Sequence, residues 1–64
     1  MELFKAIQIA EGDIECTQQQ WVEAWQWLID EGHVWKLQGW YGRTAVELIE
    51  NEVCTAPNSL KNKT

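Results

Sequence analysis

The side chains that could do covalent or metal chemistry are few: one histidine, His33, and two cysteines, Cys16 and Cys54, 38 positions apart. A nucleophilic dyad needs a thiol or hydroxyl beside a base, and His33 is the sole imidazole. No motif supports its pairing with either thiol. A zinc site needs four ligands at close spacing, and the chain has no C-x-x-C pair. The stretch Gly39-Trp40-Tyr41-Gly42-Arg43-Thr44 lacks the spacing of a phosphate loop. The expectation is a protein without catalytic residues, cofactor or metal.

The residues left to carry a function are aromatic and acidic. Five of the 64 residues are tryptophan, the type most enriched at the energetic centres of protein interfaces. Ten acids stand against five bases, a net charge of -5. Residues 1–56 hold all ten acids and only Lys5, Lys36 and Arg43, a net of -7. Such a surface repels phosphate backbones and anionic lipid and attracts basic surfaces. Direct nucleic-acid binding and membrane binding are therefore not expected.

Sixty-four residues make one small domain. Three helices must position these side chains. Leu3, Phe4, Ile7 and Ala10 share one side of a short helix over 2–10, ended by Glu11-Gly12. Thr17 and Gln20 have the spacing of a capping box. Trp21, Ala24, Trp25, Leu28 and Ile29 then recur at helical intervals, which predicts a helix over 18–31 stopped by Gly32. Residues 33–37 fit either a brief extended stretch or a single helical turn. Gly39 and Gly42 bracket Trp40-Tyr41, which predicts a tight turn presenting two aromatics. Ala45, Leu48, Ile49 and Val53 form the buried stripe of a third helix over 43–53. The fold class expected is all-α: a three-helix unit over 1–56 with an aromatic, glycine-bracketed connector before its last helix. Residues 57–64 read as a flexible C-terminal tail.

Trp21 and Trp25 belong to the core stripe of the second helix. Trp27 lies about 240° from Trp21, among Glu23 at about 200°, Gln20 at about 260° and Glu31 at about 280°. Asp30 lies on the same side, at about 180°. Two readings fit Trp27: it is covered by the first helix or by Leu60, or it is an exposed anchor rimmed by carboxylates. Asp30, Glu31, Glu50 and Glu52 all sit at helix C-terminal ends. There each opposes the macrodipole by several tenths of a kcal/mol. That placement fits ordinary solubility or an acidic surface kept for a basic partner. Arg43, near a helix start, is also against the dipole; it pairs internally, stacks on Trp40 or Tyr41, or meets a partner. The candidate partner-binding set is Glu23, Trp27, Asp30, Glu31, Trp40, Tyr41 and Arg43.

From Trp25 to Ala45 the chain resembles a family of short bacteriophage and metagenomic proteins of unassigned function. Its pattern is Leu-Ile-Asp-x-Gly, then Trp-x-Leu-Gln-Gly-Trp, an aromatic and Gly-Arg. Here these are Leu28 to Gly32 and Trp35 to Arg43. Leu48-Ile49-Glu50 and Cys54 also fit, and the likeness covers residues 17–54. Glu31 departs from it, standing where the family often has a small polar residue. The tail after Pro57 reads as private to this chain.

The resemblance implies a phage origin and expression inside a bacterium. Met1 to Lys5 carries neither the basic start nor the long apolar run of a secretory signal. Both features predict the cytoplasm of the bacterial host, with thiols reduced and largely buried. Tiny acidic phage proteins are often single-target effectors. The function expected is binding and inhibition or redirection of a host protein by surface occlusion. A nucleic-acid-handling or defence complex such as a CRISPR effector, with its basic channel, is a natural target. The alternatives are a helix-turn-helix-like DNA binder or transcription modulator, with the third helix as reader, and a homo-oligomeric structural protein.

Overall fold

The computed structural model describes residues 1–57. Among them run α1 (Leu3–Ala10), α2 (Gln18–Asp30), a 3-10 turn (His33–Trp35) and α3 (Gly39–Glu50), with no strand. The all-α, three-helix expectation holds.

Thr17 starts α2 as read from its spacing. Its hydroxyl accepts from the Gln20 N–H at 3.1 Å, and the Gln20 side chain accepts from the Thr17 N–H at 2.9 Å. Two otherwise unpaired donors are satisfied reciprocally. Ala24, Trp25, Leu28 and Ile29 are buried along one face. The helix ends one residue earlier than expected, with Glu31 as its C-cap and Gly32 left-handed at φ 79°. Gly32 needs no side chain to avoid strain there, and the chain reverses into the 3-10 turn. Of the two conformations open for residues 33–37, the helical turn is the one adopted.

Two expectations are corrected. The first is the face of α1. Its buried residues are Ala6, Ile9 and Ala10, while Phe4 is 59% exposed. The buried arc is rotated by about a quarter turn from the Leu3-Phe4-Ile7-Ala10 side. The face that α1 buries carries the small side chains of Ala6 and Ala10 beside Ile9. The second is the connector. Gly39-Trp40-Tyr41-Gly42 is not a turn presenting two aromatics; it is the first turn of α3, and neither glycine has positive φ. Burial of Tyr41 at 3% exposure recruits this stretch into the helix against glycine's weak propensity.

The far end of α3 also differs. The helix stops at Glu50, so Val53 lies beyond it and is 42% exposed. Glu52 adopts φ 63°, a left-handed conformation usually left to glycine or asparagine. The N–H groups of Val53 and Cys54 both reach back to the Leu48 carbonyl, at 2.9 and 3.1 Å.

The segment after α3 is tied to α2 by Gln26. Its amide oxygen accepts from the Thr55 N–H at 2.8 Å, and its amide nitrogen donates to the Thr55 carbonyl at 3.0 Å. The side chain thus pairs with a backbone as a neighbouring strand would. Cys54 and Pro57 are buried on either side of this clamp. Apart from Pro57, the tail read over 57–64 lies outside the described residues, as does Leu60. Gln26→Ala is expected to lower stability by about 1–2 kcal/mol and to speed hydrogen exchange at the Thr55 amide. Urea titration and amide exchange together check it.

The core is an aromatic chain. Trp25, 1% exposed, meets Trp21 at 5.9 Å, Tyr41 at 5.6 Å and Trp40 edge-on at 6.3 Å. Its indole N–H has no oxygen or nitrogen partner among the described residues.

Candidate functional site

The Gly32 reversal carries the residues after α2 back over its last turn. It sets the His33 ring 5.2 Å from Trp27, at 33° to it. Trp27 is therefore half-buried, with its inner edge against the core. Neither reading of this residue matches fully: its cover is His33, a neighbour made close by the turn.

Three carboxylates surround that stack on α2. Glu23 lies four residues before Trp27, Asp30 three after and Glu31 four after, the spacings that make helix neighbours. All three are exposed. Asp30 accepts from the Gln26 amide at 3.0 Å, which holds its carboxylate near the helix surface. Glu23 accepts from Gln19 at 3.4 Å. Glu50 and Glu52, at the end of α3, are exposed as well.

The rest of the candidate set divides. Trp40 and Tyr41 stack on each other at 4.1 Å and turn toward Trp25. Trp40 is half-buried, and Tyr41 is buried within the core rather than presented on a turn. The Tyr41 hydroxyl donates to the Glu11 carboxylate and so ties the end of α1 to the start of α3. Burial pushes the phenol well above its ordinary range, and the hydrogen bond and charge of Glu11 add to the shift, as does the charge of Asp13. Arg43 is exposed as the fifth residue of α3, and its guanidinium lies over Gly39. It is not at the helix start where its charge would most oppose the dipole.

The structure adds two residues to those chosen from sequence, His33 and Trp35. Trp35 is 50% exposed, with its ring against Gly42. The signal for His33 was Gly32, whose left-handed turn directs the next residue back onto the helix.

The thiols behave differently from one another. Both are free; Cys54 is buried and Cys16 is exposed, so the expectation of two buried thiols is half corrected. Burial raises the Cys54 thiol above its ordinary value, with a further push from the Asp30 carboxylate. A raised thiol is a poor nucleophile at neutral pH. Among the described residues no group of three or more His, Cys, Asp and Glu side chains could hold a metal ion. No helix there is long and apolar enough to cross a membrane. What the surface offers is an aromatic edge at Trp27 and fixed negative charge around it.

No match is found among curated proteins or among solved structures. A family model does match, over residues 3–62. The match takes in α1 and continues past Pro57, so the segment after that proline is not private to this chain, contrary to expectation. The chain belongs to the family described as Domain of unknown function (DUF7417).

Proposed function

We propose that this protein is a non-enzymatic, phage-encoded effector. It binds a host protein in the bacterial cytoplasm and inhibits or redirects it by covering a functional surface. One observation carries the reading: Trp27, stacked on His33 at the end of α2, has Glu23, Asp30 and Glu31 within one helical turn. An aromatic edge rimmed by charge is the anatomy of an interface centre. Its partner has an apolar pocket bordered by lysines or arginines. The basic channel of a nucleic-acid-handling complex, such as a CRISPR effector, is one such surface, and the carboxylates would there stand in for phosphates. The phage origin rests on the sequence resemblance. The DNA-binding alternative gains little from α3, where Glu47 and Glu50 accompany the single cation Arg43.

The test is capture from bacterial lysate with a tagged chain, in low and moderate salt, read by mass spectrometry. Trp27→Ala alone does not decide it, because Trp27 also packs on the core. The double variant Glu23→Lys, Glu31→Lys changes only exposed side chains. One host protein is expected to be enriched, to weaken with salt, and to bind the double variant about tenfold more weakly or worse. Empty capture, or capture unchanged by the charge reversal, would remove this reading.

A further inference from the structure

The described residues end beside the Trp27 surface. Thr55 pairs with Gln26 of α2 through its N–H at 2.8 Å and its carbonyl at 3.0 Å, and Pro57 after it is buried. The same Gln26 amide nitrogen donates to Asp30 at 3.0 Å. Successive residues turn by about 100° around a helix. Asp30, Glu23 and Trp27 therefore follow Gln26 around α2 at about 40°, 60° and 100°, and Glu31 at about 140°. Along the axis all four lie within about 8 Å of Gln26, at a rise of about 1.5 Å per residue. The three carboxylates are exposed, and Trp27 keeps part of its ring uncovered beside His33.

Residues 58–64 follow Pro57, and their charge is opposite to that of this surface. They hold Lys61 and Lys63 and no acid, whereas residues 1–56 hold ten acids and three bases, a net of -7. Leu60 is their one large apolar residue. The family match runs to residue 62 and so takes in Leu60 and Lys61. We propose that residues 58–64 dock on the Trp27 surface of their own chain. Leu60 covers the exposed edge of the indole, and Lys61 and Lys63 lie among Glu23, Asp30 and Glu31. An extended chain spans about 3.3 Å per residue, so Leu60, five residues past Thr55, reaches about 16 Å. That is enough to cross from Gln26 to Trp27. Each exposed ion pair is weak, but the short tether holds the cations at a roughly millimolar effective concentration. The docking needs no host protein. On the function proposed above, a partner of the Trp27 surface must first displace this segment, which makes it a competitor carried by the chain itself.

The test is solution NMR of the isotope-labelled full chain, free of any partner, in low and moderate salt. Nuclear Overhauser contacts are expected between the Leu60 methyls and the Trp27 ring at low salt. They should weaken in moderate salt, as screening loosens the exposed pairs. The double variant Lys61→Glu, Lys63→Glu should lose them and shift the Trp27 indole N–H and the amides of Glu23, Asp30 and Glu31. Adding Glu23→Lys and Glu31→Lys reverses both sides and should bring the contacts back. Circular dichroism confirms that these exposed and terminal substitutions leave the helices formed. Absence of Leu60–Trp27 contacts at low salt, indifference of the Trp27 signal to Lys61→Glu, Lys63→Glu, or failure of the double reversal to restore the contacts would overturn the proposal. So would contacts that a mixture of labelled and unlabelled chains shows to run between two copies. None of these outcomes bears on capture of a host protein, so the two readings fail separately.

Discussion

Trp25→Ala is expected to abolish the folded state. The indole is 1% exposed and meets Trp21, Trp40 and Tyr41 at ring distances of 5.6–6.3 Å. Replacing a buried tryptophan by alanine costs about 3–5 kcal/mol, as lost transfer energy plus the cavity left behind. A domain of this size has a total stability of about 3–10 kcal/mol, and no disulfide supports it, since both cysteines are free. The loss therefore removes most of the margin. Near-ultraviolet circular dichroism and a thermal melt check it: the aromatic signal and the cooperative transition should both disappear. Trp25→Phe keeps a ring in contact with its neighbours and should stay folded with a lower midpoint. A Trp25→Ala chain that melts within a few degrees of the parent would mean that the aromatic chain is not what holds the helices together.

The same cluster explains which parts of the fold were legible in sequence. α2 was readable because its signals are local: Thr17 and Gln20 cap each other, the apolar residues recur at helical intervals, and Gly32 takes the left-handed turn. The start of α3 was not, because its cause is distant. Gly39 and Gly42 favour a turn by themselves, and only Trp25 and Glu11, well away along the chain, give Tyr41 a reason to be inside. The face of α1 failed similarly. A wheel ranks Leu3 and Phe4 above Ala6 and Ala10 by apolarity, whereas the face α1 buries carries those two small residues beside Ile9. At the candidate site the acids around Trp27 were legible from helix spacing alone. His33 as its cover was not, since the contact exists only after the chain reverses at Gly32.

Alkaline pH should destabilise this protein through Tyr41, and Tyr41→Phe should lessen that sensitivity. The hydroxyl donates to the Glu11 carboxylate from a residue only 3% exposed. Ionising it in place would bury a phenolate against two carboxylates, Glu11 and Asp13, with its one hydrogen bond lost. The folded chain therefore holds the proton to well above the ordinary phenol range, with burial as the largest cause. In the unfolded chain the same phenol titrates near its ordinary value of about 10. A group whose pKa is raised by folding contributes its full stabilisation below the unfolded value. That contribution falls as pH climbs from there toward the folded value, by about 1.4 kcal/mol per pH unit for one proton. Urea midpoints at pH 7, 9, 10.5 and 11.5 (chosen values spanning about 10) should hold steady between the first two and drop over the last two. Tyr41→Phe cannot donate to Glu11, so at pH 7 it should be less stable by about 1.5–3 kcal/mol. Its midpoint should then change less above pH 10 than the parent's, and the two curves should converge. Lysine deprotonation, and ionisation of the Cys54 thiol that burial holds above its ordinary value, affect both chains alike and cancel in the difference. Parallel curves across the whole range would show that the Tyr41 proton is not held by the fold, and that Glu11 does not tie α1 to α3.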